Sequence, residues 1–219
     1  MAFLRLLSPF KRVKVFFADL GLWIAEAWIA VNNWNMRTTQ TMKWEVFLQN
    51  GENSQQISNP VNEADDLVFS QFLSLNKSYL IIANHQTWFD ITAIQRIFNR
   101  RIPLIRFFLK QQLLYVPLLG LAWWALDFPF VKRYSREYLA KHPEKQGQDL
   151  KATRLACEKF KAMPVAVLNF LEGTRKTAAK MAADKGGYRN LLSPKRGGLY
   201  QVLESMGEQF DSLLDVTIV

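Results

Sequence analysis

The longest regular pattern lies near the start of the chain. Across residues 15–31, VFFADLGLWIAEAWIAV, the apolar residues Phe16, Phe17, Leu20, Trp23, Ile24, Ala27, Trp28 and Val31 recur at helical spacing, while Asp19 and Glu26 share the opposite side. At about 100° per residue these positions form one broad apolar face, which predicts an amphipathic helix. A spanning helix needs about 20 mostly apolar residues, and here acids interrupt the run. The preceding residues 1–14 carry Arg5, Lys11, Arg12 and Lys14 and no acid. A basic leader and an apolar face with tryptophans suit a helix lying in a membrane interface. Packing of the same face into a core is the plainer alternative. The charges also break any apolar stretch of a cleaved signal peptide.

Further along, the pattern changes period. Residues 49–66, QNGENSQQISNPVNEADD, are polar and turn-rich; they read as a loop or hairpin tip between Trp44-Glu45-Val46-Phe47 and the next apolar run. That run, Tyr79-Leu80-Ile81-Ile82-Ala83, reads as a buried strand. After Asp90, Ile91, Ile94, Ile97 and Phe98 give a short amphipathic helix, and LIRFFL at 104–109 is a further strand. Residues 111–126, QQLLYVPLLGLAWWAL, hold no charge but are broken by Pro117 and Gly120. This stretch is too short to span comfortably; it lines an apolar groove, dips into an interface, or forms a buried helix pair. Residues 133–151 are charged and loop-like in their middle, with a solvated His142 before Pro143. A helix over 152–162 carries Cys157, VAVLNFL at 165–171 is a buried strand, and LLDVTIV at 213–219 another.

Strands alternating with helices predict an α/β fold, a central and mostly parallel sheet covered by helices. The expected organisation is a basic leader and interfacial helical region over residues 1–48 and one domain over 49–219. No internal repeat is visible.

Composition narrows the function. The 219 residues are 49% apolar and 21% charged, enough for one domain with a sizeable core and unlike a disordered chain. A net charge of +9 points to polyanions: nucleic acid, an anionic membrane surface or phosphorylated substrates. Seven Trp and sixteen Phe, several in the two apolar segments, favour the membrane surface. No zinc finger, RNA-binding aromatic signature or long basic helix is visible, which disfavours nucleic acid. The single cysteine excludes an internal disulfide framework and fits a reducing compartment. With only two histidines as well, a structural zinc site is disfavoured.

Two strand ends carry chemistry. In ANHQTWFD, residues 83–90, His85 follows the strand and Asp90 lies five residues on. This is a catalytic pair or a surface turn with a helix cap, and the spacing alone does not decide. In FLEGTR, residues 170–175, a strand runs into an acid, a glycine, a hydroxyl and an arginine. Glycine permits close backbone approach, arginine's planar fork suits phosphate, and ligands bind beyond the carboxyl ends of strands in α/β sheets. Taken alone, a tight turn with a surface salt bridge is the better reading. Lys110 and Arg133 flank the uncharged stretch. They are solvated ends of elements, or a pair of cations beside a groove for a ligand with a charged head and an apolar tail.

Together these segments resemble the glycerolipid acyltransferase family, specifically the 1-acylglycerol-3-phosphate (lysophosphatidate) acyltransferases and their bacterial relatives. Asn84-His85 and Asp90 match its NHxxxxD motif. Phe170, Glu172, Gly173, Thr174 and Arg175 match its FPEGTR motif, and Lys110, Pro117, Gly120 and Arg133 its looser intermediate block. Order and spacing agree across roughly residues 79–176, and PKRGGL at 194–199 is similar to the next block. Leu171 stands where the family has proline, which should loosen the turn, and Thr87 where serine is common. The resemblance implies transfer of a fatty acyl group from an acyl-CoA or acyl carrier protein thioester to a lysophospholipid hydroxyl, lysophosphatidate giving phosphatidate. His85 would be the base and Asp90 its partner. Glu172, Gly173, Thr174 and Arg175 would bind the acceptor, with Lys110 and Arg133 assisting. No metal or cofactor is implied. The implied location is the cytoplasmic face of a bacterial inner membrane. The family's final motif would lie beyond Val219, so the chain is expected to be truncated. The competing functions are a non-catalytic lipid-binding protein on the same fold, a transacylase or hydrolase using the same pair, and a basic nucleic-acid-binding domain.

Overall fold

The computed structural model describes residues 10–39, 45–50, 53–57, 68–131, 138, 141–142 and 148–219. Its first element is a helix, α1 (Lys11–Thr39), longer at both ends than the apolar periodicity suggested. Arg12–Thr39 is long and apolar enough to cross a membrane, by length and composition. The helix rests lightly on the rest of the chain. Ile29 and Met36 are its buried apolar residues, whereas Phe16, Trp23, Trp28, Val31 and Trp34 are exposed. The broad apolar face therefore does not pack into the core.

A hairpin follows, β1 (Val46–Asn50) and β2 (Asn53–Ile57), antiparallel with Asn50 opposite Asn53. Of the two readings of residues 49–66, loop or hairpin tip, the hairpin is the one seen, and the segment also contributes its second strand. The sequence of β2, NSQQI, has almost no apolar signal, and the strand is defined by backbone pairing with β1. Residues 58–67 of that segment lie outside the described residues.

The chain then alternates. β3 (Tyr79–Ala83) leads to α2 (Phe89–Phe98), β4 (Ile105–Phe107) and a short β5 (Leu109–Lys110). A 3-10 turn over Gln111–Tyr115 precedes α3 (Leu119–Ala125), and β6 (Phe130–Val131) pairs in parallel with β5. Next come α4 (Gln148–Cys157), which starts four residues earlier than expected, and β7 (Ala166–Phe170). The last elements are α5 (Ala178–Ala183), α6 (Arg196–Met206) and β8 (Ser212–Val216).

Four strands form one parallel sheet in the order β4-β7-β3-β8. Alternation along β3 divides the core in two. Tyr79, Ile81 and Ala83 pack with Phe69, Ile94 of α2, Ile102 and Leu168. On the other face Leu80 packs with Cys157, Phe160, Val167, Val202 and Met206, which brings in α4 and α6. This is the predicted α/β architecture, with helices on both faces. The lower ends of the strands are tied through Ser78. Its N–H donates to Asp211 Oδ2 (2.7 Å), its carbonyl accepts from Asp211 N–H (2.9 Å), and its Oγ accepts from Val165 N–H (3.2 Å).

Two further segments are decided by the fold. Of the three readings of residues 111–126 the buried helix pair is excluded: Tyr115, Leu118, Leu119, Leu121 and Trp124 are all exposed. Pro117 cuts the helical run, and a Cβ on Gly120 would lie 2.0 Å from the Leu114 carbonyl oxygen, so the chain turns sharply there. His142 is half-buried, its ring 4.5 Å from that of Tyr138, rather than solvated.

Candidate active site

The upper ends of β3 and β7 lie side by side, with Ala83 opposite Phe170. Beyond Ala83 the chain leaves the sheet, and polar side chains take over its hydrogen bonding. Asn84 acts as a pseudo-backbone group: its Nδ2 donates to Ile218 O and its Oδ1 accepts from Ile218 N–H, both at 2.7 Å. Gln86 Nε2 donates to the same carbonyl. The 84–86 turn is thereby clamped to the segment that follows β8.

His85 is fixed on two sides. Its ring stacks on Phe170 with centroids 3.9 Å apart and planes 14° from parallel. Its Nδ1 lies 2.8 Å from Asp90 Oδ2. An ionised carboxylate only accepts, so Nδ1 carries the proton, and Nε2 is the nitrogen left with a lone pair in the neutral ring. Asp90 is 3% exposed. Its Oδ2 also accepts the N–H groups of Gln86 (2.6 Å) and Thr87 (2.9 Å), and its Oδ1 accepts the Thr87 hydroxyl (3.0 Å). Burial pushes the Asp90 carboxyl up, but the bonds from His85, the two amides and the hydroxyl outweigh it and hold the group below its ordinary range.

In ANHQTWFD the His–Asp contact and the helix-start turn share one carboxylate. Thr87 and Asp90 stand three apart at the head of α2, the spacing of a capping box. Thr87 Oγ1 accepts from Phe89 N–H (3.1 Å) while the Asp90 carboxylate reaches back to Thr87 N–H. Trp88, which immediately precedes the helix, supplies no side-chain cap. One carboxylate therefore caps the helix and holds the imidazole.

The FLEGTR turn folds against this pair. Lys176 N–H donates to His85 O (2.7 Å), so Arg175 is one peptide away from the histidine's backbone. Gly173 has φ +64°, the left-handed region, and the side chain of Lys195 passes 3.2 Å from where a Cβ would stand. The departure at 171 does not loosen the turn: Leu171 N–H donates to Ala83 O (3.1 Å), a bond proline could not make. Glu172 is buried, 3% exposed, with Oε1 accepting from Leu192 N–H (3.4 Å) and Oε2 without a partner among the described residues. Thr174 Oγ1 accepts from Lys180 Nζ (2.6 Å), and Arg175 is exposed. Lys110 is exposed at the end of β5; Arg133 lies outside the described residues.

Sequence reasoning missed Phe170 as the ring beneath His85, because that contact depends on strand register. It also missed Lys176 and Lys180 around the turn, whose only signal was a cluster of basic residues after FLEGTR; Lys195, beside Gly173, lies in the PKRGGL segment already noted.

These features define an α/β protein with a histidine–aspartate dyad and a glycine–threonine–arginine turn at the carboxyl edge of a parallel sheet. The sequence profile of the Acyltransferase family matches residues 46–219, and the chain belongs to that family. Among solved structures, the chain is similar to the crystal structure of the 1-acyl-sn-glycerophosphate (LPA) acyltransferase, PlsC, from Thermotoga maritima. The likeness is 22% in identity, covers 62% of this chain and 44% of that one, and has a TM-score of 0.38. Among curated proteins, none matches.

The convergence of three donors on Asp90 Oδ2 shapes what Asp90→Asn should do. Its carbonyl can occupy the Oδ2 position while its amide donates to Thr87 Oγ1, so the cap and the tautomer survive and only the charge is lost. Thermal unfolding should move by a few degrees at most, while turnover should fall by about 10²-fold or more. A group with a depressed carboxyl pKa stabilises above its unfolded value and loses that contribution as pH falls through the folded one. The stability gap between wild type and Asp90→Asn should therefore close below about pH 4. An active Asp90→Asn protein would leave Asp90 as a cap alone.

Proposed function

We propose that the protein transfers a fatty acyl group from a thioester to the free hydroxyl of a lysophospholipid, with lysophosphatidate as acceptor and phosphatidate as product. The observation that carries this reading is the contact of His85 Nδ1 with Asp90 Oδ2 at 2.8 Å, set against the backbone of the FLEGTR turn. Alcohols are weak nucleophiles near neutral pH and need a positioned base. His85 Nε2 takes the proton of the acceptor hydroxyl as its oxygen bonds to the thioester carbonyl carbon. The ionised Asp90 stabilises the imidazolium that forms. Collapse of the tetrahedral oxyanion breaks the carbon–sulfur bond, and the imidazolium returns the proton to the departing thiolate. The substrate hydroxyl stands where hydrolases have an enzyme serine, so no acyl-enzyme forms.

In this reading Arg175 holds the acceptor's phosphate with its planar fork, Gly173 lets backbone approach, and Thr174 and Lys110 assist, with Arg133 beside them in sequence. The buried Glu172 supports the turn from behind. The donor is acyl-CoA or an acyl carrier protein thioester, and no cofactor takes part. The exposed apolar face of α1 supports a seat on a phospholipid membrane surface. The basic leader and the lone reduced cysteine favour the cytoplasmic face of a bacterial inner membrane.

The direct test is mass spectrometry of products from the purified full chain given lysophosphatidate and a panel of thioesters. Phosphatidate with one added acyl chain is the expected product. Free fatty acid alone would make the protein a hydrolase. His85→Ala should fold and lose about 10²–10⁴-fold in rate; near-normal transfer by the folded variant would end the dyad reading.

Arg175→Ala tests the acceptor site separately. Losing a charge-assisted grip should cost about ten- to hundredfold in use of the phosphate-bearing acceptor, with donor kinetics barely changed. Arg175→Lys should rescue only in part, because a point charge cannot reproduce the fork. Equal impairment toward donor and acceptor would assign Arg175 to organising the whole site.

A further inference from the structure

Residues 111–126 present an uncharged surface that the acyl-transfer chemistry does not use. Tyr115 is 78% and Leu118 84% exposed, and Leu119, Leu121 and Trp124 stand out beside them. The backbone fixes this display. Leu118 has φ +62° and ψ −51°, a conformation that glycine tolerates and leucine resists. Gly120 N–H donates to Val116 O (2.8 Å), and the missing Cβ of Gly120 leaves room for the Leu114 carbonyl. At the base, the buried Arg106 donates from Nε to Leu126 O (3.0 Å), and Phe128 N–H donates to Trp123 O (2.9 Å). Folding gains nothing from a strained, exposed leucine at the apex of a pinned turn. An apolar partner does.

Two observations identify that partner. The base of the turn is continuous with α1, since the Cβ position of Gly21 lies 3.8 Å from Leu126 Cδ2, and Trp23 and Ile24 next to it are exposed. Lys110, at the start of the segment, is an exposed cation beside the apolar residues, matched to headgroup phosphate. We infer that the 111–126 turn is a second membrane-insertion element, seating Leu118 and its neighbours among the acyl chains of an anionic phospholipid bilayer alongside α1. The inference rests on the membrane reading of α1. It gives the domain a second point of attachment and so a fixed orientation on the lipid surface.

The test uses the full chain and no turnover, so its failure is distinguishable from failure of the acyl-transfer reading. Leu118→Cys is labelled with an environment-sensitive fluorophore; Cys157 is buried and stays unlabelled. The label is followed on vesicles of phosphatidylethanolamine and phosphatidylglycerol, with and without acyl-chain spin labels. We expect quenching by the spin labels and loss of access to aqueous iodide. A label at Lys161→Cys should stay aqueous, because that residue belongs to the face of the sheet opposite α2, on which α1 rests. A label at 118 that remains iodide-accessible while the chain cosediments with vesicles would overturn the inference. So would shielding that needs no lipid and grows with protein concentration, which would make a second copy the partner. Leu118→Gly provides an independent arm. Glycine, with no Cβ, accepts φ +62° with ψ −51°, so the variant should fold at least as well, yet vesicle affinity should fall by about tenfold. Unchanged affinity of the folded variant would also overturn it.

Discussion

A carboxylate buried as deeply as that of Asp90 persists as an anion only when its lone pairs are met. Here all four donors come from three consecutive residues, His85, Gln86 and Thr87. That requirement shapes everything around it. The chain must leave the sheet right after Ala83, coil around a point, and enter α2 within five residues. Charge-assisted bonds of this kind contribute about 1.5–3 kcal/mol each against a burial cost of several. The coil is therefore held by the anion and the anion by the coil. The helix gains its cap and the imidazole its tautomer from the same atoms.

The parallel sheet supplies the second half of the site. Because β3 and β7 run in the same direction and in register, their carboxyl ends release two turns at the same place. Phe170 then becomes the floor under His85, and Lys176 N–H closes onto the histidine's own carbonyl. Leu171 adds one more sheet-like bond that proline would forfeit. The ANHQTWFD and FLEGTR segments, almost ninety residues apart in sequence, become one surface through backbone hydrogen bonds rather than side-chain contacts alone.

Much of this was legible in the sequence. Tyr79–Ala83 and Ala166–Phe170 announce themselves as short continuous apolar runs, and Ile94, Ile97 and Phe98 as a helical stripe, because burial writes itself into side-chain chemistry. His85 and Asp90 were legible for the same local reason: both lie on one turn. What was not legible depends on neighbours. The strand Asn53–Ile57 is polar and exists through its pairing with β1. The stacking of Phe170 on His85 needs the register. The double hydrogen bonding of Asp90, to the imidazole and to the turn, needs the path of the backbone, since a cap and a histidine partner have the same spacing. Residues 111–126 were legible only as alternatives, since an apolar run suits a groove, an interface or a core equally, and the outward Leu118 and Tyr115 exclude the core. The length of α1 was underestimated because Asn32, Asn33 and Asn35 blur an apolar stripe that Trp34 and Met36 continue.

The central claim is that Asp90 holds His85 with its proton on Nδ1 and its lone pair on Nε2. Nitrogen-15 NMR of the imidazole tests it most directly. The chain has only two histidines, so a His142→Gln protein leaves one ring to observe. At mildly alkaline pH the account predicts a protonated Nδ1, with its proton shifted far downfield by the bond to Asp90, and a bare Nε2. A proton on Nε2 instead, or an Nδ1 resonance unchanged by Asp90→Ala in a folded protein, would contradict it.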